Sequence, residues 1–272
     1  MSNAAIVGLG AFAGLTIFLG LPVARIRTAG QRLRTFLVGA SAGILIFLLV
    51  DILEQAGEPV GAAATARAWG RLAGYGTVYA IGFGAGLLSL IYLSAWQKRR
   101  IRRPSIGPGA MAVAERIASP ESEALRTGMS IATAIGLHNF SEGLAIGQSA
   151  ARGATSLALI LIIGFALHNA TEGFGIGGPL AAARVQAPWR WVVLAGLVGG
   201  GPTFLGTIVG ASFSSPVAFI GCLTLAGGAV IYCIGELFAA GRRMAWNLVV
   251  WGVTVGFLIA FGTDLVLKVA GA

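Results

Sequence analysis

Charge is scarce in this chain: Asp, Glu, Lys and Arg make up 11% of 272 residues. A soluble domain carries about twice that share, so one of this length is excluded. Histidine and cysteine are scarcer still, at two residues each. Cys222 and Cys233 fall on one expected helix three turns apart, a separation of about 16 Å that no intrachain disulfide spans. Both read as small core residues. Short stretches of alternating apolar and polar residues are also missing, which excludes a transmembrane β-barrel. No charged segment precedes the first apolar block, and its basic residues come after it. That order is the reverse of a cleaved signal peptide, so the block is expected to remain as the first span.

Apolar residues are abundant, at 56% of the chain, with a mean hydropathy of +0.84. They gather into blocks of about 20, the length of helix that crosses the hydrocarbon core. Eight blocks are legible: Ala4 to Ala24, Thr35 to Leu53, Leu72 to Trp96, Gly128 to Ala150, Ser156 to Leu180, Trp191 to Ala211, Pro216 to Ala239 and Ala245 to Val269. The expected fold is therefore all-α: a polytopic integral membrane protein of eight transmembrane helices. Residues 1–272 form one transmembrane domain, with spans 1 to 3 within 4–96 and spans 4 to 8 within 128–269. A cytoplasmic loop of residues 97–125 lies between them, in which Met111 to Ala118 has the pattern of a short amphipathic turn. The 42 glycines, Gly10, Gly14, Gly82, Gly84 and Gly86 among them, suit close approach of helix backbones in lipid. "GFGAG" is not a dinucleotide fingerprint, because no strand, turn and helix surround it.

The basic residues set the orientation. Fifteen of the nineteen fall in the odd-numbered connections, among them Arg25, Arg34, Lys98 to Arg100, Arg184, Arg190, Arg242 and Arg243. Only Arg67, Arg71, Arg152 and Lys268 fall on the other side. Cytoplasmic loops attract Lys and Arg, so both termini are expected outside the cytoplasm. Trp96, Trp189, Trp191 and Trp246 sit at the same inner boundary, where interfacial anchors belong. The net charge of +9 is thus accounted for by loops facing anionic lipid, and no nucleic-acid partner is implied. The location expected is the cell (plasma or inner) membrane.

Against this apolar background two matching stretches stand out: "LHNFSEGLAIG", Leu137 to Gly147, and "LHNATEGFGIG", Leu167 to Gly177. His138 and Glu142 are four residues apart and share a helix face, as do His168 and Glu172. A very short loop joins spans 4 and 5, which makes them antiparallel neighbours. Each motif lies near the middle of its span. Pairing then brings Glu142 to His168 and His138 to Glu172, with Asn139 and Asn169 alongside.

Three uses suit such a cluster. A polar network locking two helices returns only about 1 to 2 kcal/mol per hydrogen bond in a membrane. That is small against two desolvated carboxylates, which cost several kcal/mol each. A proton relay is a second use, because His and Glu titrate and line the paths of pumps. A divalent cation is the third, and it balances the charge of two carboxylates beside two neutral imidazoles. Mixed nitrogen and oxygen donors suit zinc, then iron, cobalt, nickel or manganese, and suit calcium or magnesium poorly. An enzyme is not expected. A metalloprotease reads His-Glu-x-x-His, and a di-iron site reads Glu-x-x-His with further glutamates, and neither spacing is present. Asp51 and Glu54, a turn apart near the outer end of span 2, form either an acidic mouth that concentrates cations or a solvated helix end. Glu236, toward the inner end of span 7, lies either on an exit path or in an ion pair with Arg242 or Arg243.

"HNFSEG" and "HNATEG" resemble the paired signatures of the ZIP (Zrt-, Irt-like protein) metal-ion transporters, whose bacterial members often read His-Asn-x-Pro-Glu-Gly in both helices. "AGGAVIYCIGEL", Ala226 to Leu237, is similar to that family's seventh helix. The resemblance implies eight helices, outside termini and a long cytoplasmic loop after helix 3. It implies a primary metal site of His138, Glu142, His168 and Glu172, and a second site that uses Asn139 and Asn169. The transported ion would be zinc, or iron, manganese, cobalt or cadmium, with no cofactor besides; a homodimer is compatible with it. Three positions depart from the pattern. Ser141 and Thr171 replace the common proline, which leaves any kinks to Gly143 and Gly173; Gly201 replaces a glutamate before Pro202; and the loops carry no histidine.

Overall fold

The computed structural model describes residues 3–25, 30–101, 119–151, 155–212, 215–242 and 244–269. In chain order these form α1 (Asn3–Leu15), α2 (Ile17–Gly20), a 3-10 turn (Leu21–Arg25), α3 (Gln31–Thr65), α4 (Trp69–Ile101) and α5 (Pro120–Ala151). After them come α6 (Thr155–Ala183), α7 (Trp189–Ser212), α8 (Pro216–Gly241) and α9 (Trp246–Val269). No strand occurs among the described residues, as the all-α expectation requires. Among the described residues, six helical segments are long and apolar enough to cross a membrane: Ala5–Arg25, Gln31–Thr65, Trp69–Tyr92, Trp189–Ser212, Pro216–Ala239 and Trp246–Leu265.

Three elements differ from the sequence reading. The first span is not one helix: it changes at Thr16 from α1 into the short α2 and a 3-10 turn. The second does not stop at Leu53. It runs about three more turns to Thr65, through Pro59, because Ala56 and Ala62 to Ala64 favour helix where hydropathy has already fallen. The loop expected over 97–125 is shortened at both ends, because α4 continues to Ile101 and α5 starts at Pro120. Ser119 caps α5: its Oγ accepts from the Ser122 amide at 3.2 Å, Pro120 opens the first turn, and Glu121 and Glu123 face the positive end of the helix dipole. Met111 to Ala118 lie outside the described residues.

Two helices end on an arginine in the left-handed region. Arg67 has φ 52 and Arg184 φ 61. In each case the next amide bonds back to the carbonyl five residues earlier, Ala68 to Ala63 and Val185 to Leu180, which closes a Schellman turn usually given to glycine.

The helices form two groups. α5 packs most extensively on α7, and α6 with the interrupted first span completes that group; α3 with α9 and α4 with α8 make the other. They meet along α5 with α8, α3 with α6, and α6 with α9. Glycine permits the tightest crossings. A methyl group at Gly143 or Gly147 would strike the backbone of α7, and one at Gly206 or Gly210 the backbone of α5. Gly84, by contrast, faces open space. Cys222 is half-buried and Cys233 buried on α8, and both are free thiols.

Connections expected on one side do gather at one end. Arg25 donates to the Ala187 carbonyl and stacks its guanidinium 4.3 Å from the ring centre of Trp189, which ties the turn after span 1 to the connection between α6 and α7. A cavity of about 390 Å³ at that end is lined by Gln31, Glu123, Ala183, Glu236 and Met244, drawn from four helix ends and the α8 to α9 connection.

Candidate metal centre

Both motif stretches are helical throughout, so their one-turn spacing is realised. His138 Nε2 lies 3.3 Å from Glu142 Oε1, and His168 Nε2 lies 3.4 Å from Glu172 Oε1. The helix crossing then joins the two pairs. Ligand atoms of His138, Glu142 and His168 all fall within 4.8 Å of one another, and the two imidazole rings meet edge to face at 5.9 Å. Glu142 thus meets His168, as antiparallel pairing requires. Glu172 is reached across the crossing by Asn139, whose amide nitrogen donates to its Oε2 at 3.0 Å. All six motif side chains are buried, Asn139, Asn169, His138 and Glu172 completely.

The asparagines hold the surroundings together. The Asn139 amide nitrogen also lies within donating distance of Asn169 Oδ1 and, at 3.0 Å, of the Gly199 carbonyl on α7. Asn169 in turn donates to the Ala13 carbonyl of α1 at 3.2 Å. Where the sequence has Thr171 in place of proline, its hydroxyl donates back to the His168 carbonyl at 2.7 Å. Gly143 and Gly173 serve as contact points in helices that run unbroken, against α7 and against Ile17 respectively.

The polar atoms left over are concentrated at the same place. Among the described residues, His138 Nδ1 and Nε2, Asn139 Oδ1, Glu142 Oε2, His168 Nε2 and Glu172 Oε1 are buried without a hydrogen-bond partner. The others in that condition are Ser141 Oγ and Thr203 Oγ1. A buried polar group without a partner costs roughly 1 to 3 kcal/mol, and more if charged. Ligand atoms of His138, Glu142 and His168 lie close enough together to share one ion, and imidazole nitrogens with carboxylate oxygens are a donor set a divalent transition metal takes up.

The flanking acids are placed differently. Asp51 and Glu54 lie within α3, not at its end, since the helix runs on to Thr65; Asp51 is half-buried and Glu54 exposed. Asp51 accepts a hydrogen bond from Gln55 at 2.7 Å. The two acids line a cleft of about 300 Å³ between α3 and α9 with Asp264, which the sequence reading passed over although it is the one acid in the last apolar block. Glu236 lines the 390 Å³ cavity at the opposite end, where Glu123 joins it, another acid the sequence reading missed. Among the described residues Glu236 makes no ion pair.

A family model, ZIP Zinc transporter, matches residues 110–262, more than half of the chain, including both motifs. The chain belongs to the ZIP zinc transporter family. No curated protein sequence matches it closely. A ZIP protein is a transporter and not an enzyme, and it is a multi-pass membrane protein whose substrate is a divalent metal ion. The buried His/Glu cluster of this ZIP chain lies within the matched residues, as does Glu236, whereas Asp51 and Glu54 lie before them.

Proposed function

We propose that this protein carries zinc across the cell membrane into the cytoplasm, with iron, manganese, cobalt and cadmium as further substrates. The ion is held by His138, Glu142, His168 and Glu172. The observation that carries this reading is the set of buried nitrogen and oxygen atoms without partners, which a dication would satisfy together while cancelling two carboxylate charges. Asn139 Oδ1 is the amide oxygen left free to add a ligand, and Asn169 acts through it. With α5 and α6, of 32 and 29 residues, crossing beside the other six segments, the membrane domain spans residues 1–272 with eight passes and outside termini. Anionic lipid is the partner of its cytoplasmic loops, and the two helix groups support alternating access, with the site contained in one of them.

In this mechanism Asp51 and Glu54 collect hydrated ions at the outer mouth. The four ligands then replace water, and the ion leaves past Glu236. Protonation of the imidazoles and carboxylates competes with metal, so binding weakens as pH falls. A proton-conducting protein that uses the same cluster without metal is the alternative. Uptake of zinc-65 into proteoliposomes separates them: the wild type accumulates label, and the variant carrying Glu142→Ala with Glu172→Ala stays at the level of empty liposomes. Equal uptake by the two proteins would overturn the metal site.

A further inference from the structure

The break between α1 and α2 at Thr16 occurs against the site. At Thr16 the backbone stays right-handed helical, with φ −62 and ψ −16, but its bonding is shared: the Thr16 amide lies 3.2 Å from the Phe12 carbonyl and 3.3 Å from the Ala13 carbonyl, and the Leu19 amide reaches Thr16 at 2.9 Å. Here the Ala13 carbonyl accepts from the Asn169 amide at 3.2 Å. The Thr16 hydroxyl lies 2.7 Å from the same carbonyl and 2.6 Å from the Ala166 carbonyl on α6. Elsewhere, Thr35, Thr77, Thr133, Thr207 and Thr254 donate four residues back within their own helices. Thr16 is buried, and its bond crosses from one helix to another.

Two bonds therefore clamp one turn of α6 to α1, at Ala166 and at Asn169, and His168 lies between them. Around this clamp Gly14 packs on Gly200 and Gly173 on Ile17, so α1, α2, α6 and α7 meet at backbone contact. A metal ligand has to be placed within a few tenths of an ångström. We propose that Thr16 is a positioning residue for His168: its hydroxyl holds the turn of α6 that presents this imidazole to the ion. The proposal rests on the metal-site reading above.

The test compares Thr16→Val, which keeps the shape and removes the donor, with Thr16→Ser, which keeps the donor. Zinc titration by calorimetry on monodisperse purified protein gives Kd, and zinc-65 uptake gives KM and maximal rate. Thr16→Val is expected to raise Kd and KM about tenfold, the lower end for a group that orients a ligand, with maximal rate per folded molecule within about twofold. Thr16→Ser is expected to stay within about twofold of the wild type in all three. Should Thr16→Val fail to fold, Thr16→Ala removes the donor without adding apolar bulk, and the same rise in Kd is expected. Unchanged Kd and KM in the donor-free variant, or equal impairment in Thr16→Ser, would overturn the proposal. Wild-type protein that binds no zinc overturns the metal site itself, a result distinct from equal binding by wild type and variant.

Discussion

The two motif copies, which share their His, Asn, Glu and Gly positions, sit in unequal surroundings. On α6, Asn169 is anchored to α1, Thr171 bonds the His168 carbonyl, and Glu172 receives the amide of Asn139. On α5, among the described residues, Ser141 Oγ, His138 Nδ1 and Glu142 Oε2 have no hydrogen-bond partner, although each copy keeps its own imidazole within 3.3 to 3.4 Å of its glutamate and each leaves one imidazole Nε2 and one carboxylate oxygen without a hydrogen bond. The repeated motif supplies matching donors, and the neighbouring helices brace the two copies unequally. Sequence symmetry thus encodes a site, while tertiary packing divides its labour.

That division can be broken in graded steps. Glu142→Gln removes the least braced charge at constant shape. Zinc Kd is expected to rise roughly a hundredfold, while the metal-free protein melts no lower than wild type, because a buried uncompensated charge has been relieved. Calorimetry and a melting curve check both halves. Asn139→Ala strips the donor from Glu172, Asn169 and the Gly199 carbonyl. It is expected to raise Kd about tenfold and, unlike the first variant, to destabilise the metal-free protein by about 1 to 3 kcal/mol. A pH series comes next: with neutral imidazoles as ligands, uptake at low zinc is expected to fall severalfold from pH 8 to pH 5.5, and a flat profile would remove the histidines from the ligand set. The smallest contrast is Ser141→Ala against Thr171→Ala. The first is expected to be silent, and the second to cost at most about 1 kcal/mol in a melting curve.

Much of the site was legible before any coordinates. His138, Glu142, His168 and Glu172 are spaced one helical turn apart, and the short α5 to α6 connection brings the pairs together; both are local rules. The ends of α3 and α5 were not read correctly, because hydropathy falls at Asp51, Glu54 and Glu58, and again at Glu121 and Glu123, while helix propensity does not. The Ser119-Pro120 pair was a readable start signal for α5, of the same kind as Ser215-Pro216, where the Ser215 hydroxyl caps α8 at 3.3 Å from the Ala218 amide. The roles of Thr16 and Asn139 were beyond reach, since their acceptors Ala166 and Gly199 lie far along the chain and are backbone carbonyls, which leave no mark in residue types.

The length of α3 has a practical consequence. At 35 residues it measures about 52 Å, well over the roughly 30 Å of the hydrocarbon core, so it reaches beyond the lipid unless strongly tilted. The hairpin between α3 and α4 exposes Arg67 and Arg71 at the end opposite the basic loops. With the orientation expected from the sequence, trypsin added to sealed vesicles meets Arg67 and Arg71, together with Arg152 and Lys268, on one face of the bilayer and the dense basic connections on the other. The fragment sizes alone therefore report which way the protein is inserted.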